Sequence, residues 1–389
     1  MMKHIITILS AFFCALTMSA QEVPSYFFED GYLDSRIKSV PKGSSFIFIT
    51  DTHFPRSTRT STPVIRYVMD RLDIDHVVFG GDVVDWNPTK EEAAAVVKEY
   101  FDELYAVAGK NLIWVHGNHD CNSAAVTKYK YPEKTSLIPD TEVYEMTVAR
   151  YADQVVFDEE LIEKYRNDQK LSDWQKEQAL AYLRMHYYRD NAKNKIRYII
   201  FDTIDNGPTT RHTIRGKRVL TTQLPFIRKA METAPKGWTI VLLAHTMGHH
   251  KYGIKAGDFH APLYHEVASF RKQTGRKVIL IGGHQHVDAA LTVTSDGHNL
   301  VNKEPDSGAV IGRDEVLTVW VNRDAYKARM AKWAAGGRDC ELKKSVSPKM
   351  VKGTKDEVSF DIVTITKKGK VVFTRIGAGE DRHFRFAKK

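Results

Sequence analysis

The sequence predicts a layered α/β fold. Two observations carry that expectation. Short apolar runs of strand character alternate with amphipathic stretches of helical character, and several of the apolar runs end in a cluster of Asp, Asn or His. A third observation is scale. The chain has 389 residues, 42% of them apolar, enough for one large domain or two medium ones with a substantial core.

The first apolar run, Phe46-Ile47-Phe48-Ile49, stops just before Asp51. The second, His76-Val77-Val78-Phe79, leads into Gly80-Gly81-Asp82. Residues 90–108, rich in Ala, Glu, Lys and Val, read as a helix. A third strand, Leu112-Ile113-Trp114-Val115, leads into Gly117-Asn118-His119-Asp120. Residues 121–195 interrupt the rhythm, being rich in Tyr, Lys and Arg, and are expected as an insertion beside the site. A helix is expected there over about residues 173–188, capped by Ser172 with Gln175 completing a capping box, and with Leu180, Leu183 and Tyr187 on one face.

Alternation resumes with a strand at 197–201, a helix at 224–231 and a strand at 239–244 that ends at His245. Another strand, 278–281, ends at Gly282-Gly283-His284-Gln285-His286. Strands follow at 289–293 and 316–321, then a helix at 324–335 with Asp324 as its cap and Gly336 as its stop. Residues 343–355 read as a loop. A hairpin of 360–366 and 371–376 around Lys367-Lys368-Gly369-Lys370 closes the chain. Residues 21–389 are expected as one catalytic domain with insertions at about 121–195 and 299–357.

The N-terminus reads differently. Lys3 and His4 precede an apolar stretch, residues 5–18, followed by Ser19-Ala20, the pattern of a secretory signal peptide cleaved after Ala20. A periplasmic or secreted location is therefore expected. No apolar run is long enough to span a bilayer. Loss of residues 1–20 removes Lys3 and leaves 56 Lys and Arg against 48 Asp and Glu, a net charge of +8 that mildly favours anionic partners. Of Cys14, Cys121 and Cys340, only two survive cleavage, which excludes a disulfide framework while permitting one bridge.

The chemistry lies in five short motifs at strand ends: Asp51-Thr52-His53, Gly81-Asp82-Val83-Val84-Asp85, Gly117-Asn118-His119-Asp120, the single His245, and Gly283-His284-Gln285-His286. Strand C-termini are where ligand sites of α/β sheets gather. Together the motifs offer carboxylate, amide and imidazole donors for two adjacent metal ions. A phosphate ester and the hydroxide that attacks it are both anions. Two cations about 3.5–4 Å apart neutralise the phosphoryl oxygens and acidify water. Mixed O and N donors suit Mn, Fe, Zn or Co.

This ordered set resembles the calcineurin-like metallophosphoesterase superfamily, which includes purple acid phosphatases, protein Ser/Thr phosphatases, acid sphingomyelinases and repair nucleases. The resemblance spans residues 51–286. It implies a four-layer α/β/β/α sandwich, two mixed sheets face to face with helices outside. It implies that Asp51, His53 and His286 hold one metal, that Asn118, His245 and His284 hold the other, and that Asp82 bridges them. The ions are expected to be two divalent or mixed-valence metals, Mn, Zn or Fe. His119 is implied as the group that protonates the leaving oxygen, and Asp85 as the acid that pairs with His119 and raises its pKa. Asp120 is expected to hold its loop. The reaction implied is hydrolysis of a phosphate mono- or diester by in-line attack of a metal-bridging hydroxide.

Two departures narrow the subfamily. Asp85 stands where purple acid phosphatases carry the iron-binding Tyr. Trp86 and Cys121 stand where protein phosphatases carry phosphate-gripping arginines. The motif from Gly283 to Asp288 is similar to that of sphingomyelinase-like members, and the ending from Arg375 to Arg382 is similar to the last strand of some bacterial and phage members. Expected substrates are phosphorylated small molecules or lipids. The alternatives are an extracytoplasmic nuclease acting on nucleic acid, and an inactive scaffold of the same fold. His116, His249, His250, His260, His265 and Cys121 are read first as packing or surface residues.

Overall fold

The computed structural model describes residues 22–55, 57–85, 87, 89–122, 136–202, 217–248, 254, 258, 260–325 and 346–388. The expected signal segment, Trp86, His249, His250, Cys340 and residues 326–335 of the expected helix lie outside them. Described strands are β1 (Ser44–Ile49), β2 (Val77–Phe79), β3 (Leu112–Trp114), β4 (Val156–Phe157), β5 (Tyr187–Asn191), β6 (Ile196–Ile200), β7 (Thr239–Leu243), β8 (Val278–Gly282), β9 (Ala289–Ser295), β10 (Leu300–Lys303), β11 (Val310–Ile311), β12 (Glu315–Trp320), β13 (Ser359–Ile365), β14 (Lys370–Gly377) and β15 (Arg382–Phe386). Described α-helices are α1 (Tyr32–Ser39), α2 (Ser61–Leu72), α3 (Lys90–Ala108), α4 (Asp140–Met146), α5 (Glu159–Arg166), α6 (Asp173–Leu183), α7 (Lys217–Glu232) and α8 (Ala261–Thr274).

The strands form two mixed sheets. The first runs β11-β15-β14-β13-β1-β2-β3, and the second runs β10-β9-β12-β8-β7-β6-β5-β4. Each has a parallel heart: β1, β2 and β3 in the first, and β12, β8, β7 and β6 in the second. The flanking strands are mostly antiparallel. Consecutive parallel strands must be joined by crossovers, and α2, α3, α7 and α8 lie in those crossovers.

Side-chain alternation makes the layers. In the second sheet Tyr198, Ile200, Val241, Leu243, Ile279, Ile281, Leu317 and Val319 join the cluster that also holds Phe46, Phe48, Val78 and Ile362 of the first sheet. Phe46 meets Tyr198 edge to face at 5.3 Å across that boundary. The alternate residues Ile199, Ile240, Leu242, Val278 and Leu280 face the other way, onto Ile227 and Met231 of α7 and Leu263 and Val267 of α8. Each such fully buried side chain contributes roughly 1.5–3 kcal/mol. On the opposite side α3 sets Tyr100 and Phe101 against Phe79 and Trp114. The result is the α/β/β/α sandwich.

Local signals set the helix ends. The Thr89 side chain accepts from Glu92 N to start α3, Glu91 and Glu92 favour its N-terminal dipole, and Gly109 at φ 57° stops it. Ser172 and Gln175 form the expected capping box of α6. That helix ends at Leu183, earlier than expected, because Tyr187 and Tyr188 instead pair with Ile200 and Ile199 as β5. The segment 121–195 thus supplies β4 and β5 to the second sheet, and 299–357 supplies β12 to its interior. Asp324 is buried, and its carboxylate accepts from Ser359 N at 2.7 Å; the helix it is expected to cap lies outside the described residues. The closing hairpin forms with Ile362 opposite Thr374 and is extended by β15. No helix among the described residues is long and apolar enough to cross a membrane.

Candidate metal centre

The parallel hearts of the two sheets end at one place. Asp51 and His53 follow β1, Asp82 and Asp85 follow β2, and Asn118 and His119 follow β3. His245 follows β7, and His284 and His286 follow β8. Main-chain bonds lock these ends together. Asp51 N donates to Gly81 O at 2.8 Å, His53 N to Asp82 O at 3.1 Å, and Gly283 N to His245 O at 3.0 Å. The two sheets are joined across the site by His284 N, which donates to Asp51 Oδ2 at 2.9 Å.

Two donor groups result. Asp51, His53, Asp82 and His286 form one, and Asp82, His245 and His284 form the other, each with its ligand atoms within 4.8 Å of one another. Asp82 belongs to both. His286 Nε2 lies 3.0 Å from Asp51 Oδ1, and His245 Nε2 lies 3.0 Å from Asp82 Oδ2. The Nε2 atoms of His53 and His286 lie 2.9 Å apart, both turned toward Asp51. His245 directs its other nitrogen, Nδ1, to Gly80 O at 2.7 Å, which leaves Nε2 for the centre. Asn118 sits between Gly117, whose N–H donates to Asp120, and His119, whose N–H donates to Asp82 Oδ1 at 2.8 Å.

Asp51, His53, Asp82, His284 and His286 all have positive φ, between 46° and 66°. Asp and His tolerate this region better than most residues, yet each instance still costs on the order of 1–3 kcal/mol. Such strain persists only where the surroundings over-determine it, and here it falls on the converging donors. Glycines permit the close approach. A Cβ on Gly283 would meet Asp51 Oδ2 and Thr50 Oγ1 at 2.2 Å, and one on Gly117 would meet Asp82 N at 2.3 Å.

Electrostatics agree with a cation site. Burial opposes ionisation of Asp51, but His245 and His286 hold its carboxyl well below the usual range. Burial likewise opposes Asp82, and His245 and His119 outweigh it, again lowering the pKa. Burial opposes charging of His245 too, yet Asp82 and Asp51 push it up to about 10. Burial and His245 push His284 down to about 3, so its imidazole is neutral with a lone pair to give. Two buried carboxylates here lean on an imidazolium, a role divalent cations fill better. The donor chemistry fits a pair of them.

His119 sits at the opening, its side chain 21% exposed against 12% for His286 and none for His53 or His245. Its Nδ1 bonds the main-chain oxygen of Asp85 at 2.7 Å. The Asp85 carboxylate lies 3.8 Å from His53 Nδ1. The turn at residues 82–85 aims the Asp85 carbonyl at His119. Asp120 holds its loop as expected, accepting from Gly117 N at 2.8 Å and Val83 N at 2.7 Å.

Other candidates settle into packing. His116 is buried at the end of β3; burial opposes its charge, but Cys121, Asp202 and Asp120 push it up to about 9. Cys121 is buried. His260 is buried ahead of α8, and burial pushes it down to about 3. His265 bonds Ser295 Oγ. Sequence reasoning passed over Thr50, whose hydroxyl donates to Asp51 Oδ2 at 2.7 Å. Its only signal was its place beside Asp51.

A family model described as calcineurin-like phosphoesterase matches residues 44–288, and the chain belongs to that family. The metal site of that family is dinuclear. Comparison with curated proteins finds no match. Among solved structures it is similar to purple acid phosphatase PPD1 from yellow lupin seeds, at 12% identity and a TM-score of 0.48, covering 88% of this chain and 54% of that one. This chain thus spans about half the length of the lupin protein. It is also similar to a dimetal phosphatase from Danio rerio, at 12% identity and a TM-score of 0.46, covering 88% of this chain and 99% of that one. A third is PhoD, at 13% identity and a TM-score of 0.44, covering 87% and 69%.

Proposed function

We propose that the protein hydrolyses a phosphate mono- or diester at a centre of two metal ions, outside the cytoplasm. The observation that carries this reading is the membership of Asp82 in both donor groups. A carboxylate shared by two sets of imidazoles is the arrangement a metal pair requires. Asp51, His53 and His286 would hold one ion, and Asn118, His245 and His284 the other. When bound, the pair would supply Lewis acidity toward the phosphoryl oxygens and lower the pKa of water, the chemistry that in-line hydrolysis of a phosphate ester needs. Mn, Zn and Fe all suit the donors.

The chain's own residues do the rest. Asp82 and Asp51 balance the charge of the cations. His119, turned by the Asp85 carbonyl so that Nε2 faces inward, donates a proton to the departing alcohol oxygen. Gly80 O and Thr50 Oγ fix the orientation of His245 and Asp51. A phosphorylated small molecule or lipid headgroup is the substrate class proposed. The basic, apolar and small-residue pattern of residues 1–20 supports export to the periplasm or beyond.

The test is hydrolysis of a chromogenic phosphate monoester and a matched diester by metal-stripped protein, reloaded in turn with Mn, Zn or Fe(II). Activity should return only with metal and be absent in Asp82→Ala. Turnover by the stripped protein, or by Asp82→Ala at the wild-type rate, would overturn the reading.

A further inference from the structure

Two residues past His286, outside the donor set, Asp288 leaves the metal-ligating loop and enters a buried charge network. Its Oδ1 accepts from Arg375 Nη2 at 2.5 Å and from Asn322 N at 3.1 Å, with Arg382 Nη1 at 3.3 Å. Its main chain is held as well, by reciprocal bonds with Val346 at 2.7 and 2.9 Å. Arg375 is on β14, in the other sheet. Its guanidinium forks onto Asp361 at 2.9 and 3.0 Å and reaches Ala378 O at 3.0 Å. Arg382 of β15 joins Asp361 at 2.6 Å and Trp320 O, at the end of β12, at 2.8 Å.

Two carboxylates and two guanidiniums thus cancel in a place where Arg375 is 1% exposed and Asp361 not at all. Arg suits such a role because its rigid fork serves two carboxylates at once. The loop this network grips needs gripping. His284 and His286 both sit at positive φ, which unsupported non-glycine residues relax out of. On its N-terminal side the loop is tied by Gly283 N to His245 O and by His284 N to Asp51. On its C-terminal side the side-chain tie is Asp288.

We propose that Arg375 and Asp288 are positioning residues for the metal centre: the guanidinium on the first sheet fixes the loop that presents His284 and His286 from the second. This role rests on the dinuclear centre proposed above. Asp361 provides an internal control. It shares both arginines with Asp288 but holds no residue of the loop.

The experiment titrates metal-free protein with Mn2+ by calorimetry, with thermal unfolding in parallel, for wild type, Asp288→Asn, Asp361→Asn and Arg375→Lys. Both Asn variants should melt lower, since each weakens the same buried network. Only Asp288→Asn should bind Mn2+ more weakly, by about tenfold, the scale of outer-shell effects on metal sites. Arg375→Lys conserves every charge but not the fork, and should also weaken Mn2+ binding; it carries the test should Asp288→Asn not fold. Wild-type affinity in Asp288→Asn or in Arg375→Lys, or an equal loss in Asp361→Asn, would show the network to be structural only. A wild-type protein that takes up no Mn2+ would remove the dinuclear reading itself, and the positioning role with it.

Discussion

The main-chain N–H of His119 donates to Asp82 Oδ1 at 2.8 Å, so the residue at the mouth of the centre is tied to the carboxylate at its middle without using its side chain. The imidazole is left for other work. Its Nδ1 bonds Asp85 O, and its Nε2 lies 3.9 Å from Asp82 Oδ2, on the solvent side of the donors.

That division predicts the phenotype of His119→Asn. The main-chain tie to Asp82 survives, so metal content should match wild type. Turnover should fall by about 10²–10⁴, the usual worth of a positioned general acid. The loss should shrink for esters with good leaving groups, which need no proton. Metal analysis and kcat across a leaving-group series check this; loss of metal would reassign His119 as a ligand.

Gly283 predicts a different failure. A methyl there meets Asp51 Oδ2 and Thr50 Oγ1 at 2.2 Å, and both are buried. Gly283→Ala should push the Asp51 carboxylate off its partners and cost about 1–3 kcal/mol, as overpacking does. Weaker metal binding should accompany a lower melting temperature. A variant that melts lower yet binds metal normally would mean that the strain relaxes away from Asp51.

Much of this was legible in the sequence because strand ends in parallel sheets are marked twice, by an apolar run and by the polar residues that follow it. The seven expected metal donors all lie at such ends, on the loops the sequence marked. Long-range partners were not legible. Tyr187 continues a helical pattern locally and becomes a strand because Ile200 is there to pair with it. Asp324 also accepts from Ser359, 35 residues away, a contact that its neighbours in sequence do not announce. The main-chain contact of Asp85 was not legible either: a motif fixes which residue is present, and only the turn brings its carbonyl to His119 Nδ1.

Edge strand β3 offers a stability test remote from the centre. The Tyr187 hydroxyl lies 3.0 Å from Trp114 O, as donor, and 3.2 Å from Trp114 N, with Tyr151 O–H also 3.0 Å from that N–H. Two phenols thus serve the polar groups of an edge strand. Tyr187→Phe keeps the ring and removes these bonds, leaving Trp114 O short of a donor inside the core. Urea unfolding should show a loss of about 1–3 kcal/mol, while kcat stays at the wild-type value. An unchanged midpoint would mean that water replaces the phenol.

Asp324 makes stability depend on pH. Burial, against the opposing bonds from Ser61 and Ser359, pushes its carboxyl from 3.8 up to about 7. Between those values the folded chain keeps a proton that the unfolded chain has released, so stability must fall as pH rises. The contribution is complete below 3.8 and lost once pH passes about 7, with a slope of at most about 1.4 kcal/mol per pH unit from this group. Asn at 324 cannot ionise, yet its amide oxygen can still accept from Ser359 N. Asp324→Asn should therefore gain on wild type as the pH of urea unfolding is raised from about 5 to about 8, both proteins being in the same metal state. Parallel pH profiles for the two would place the Asp324 titration at its unfolded value and sink the assignment.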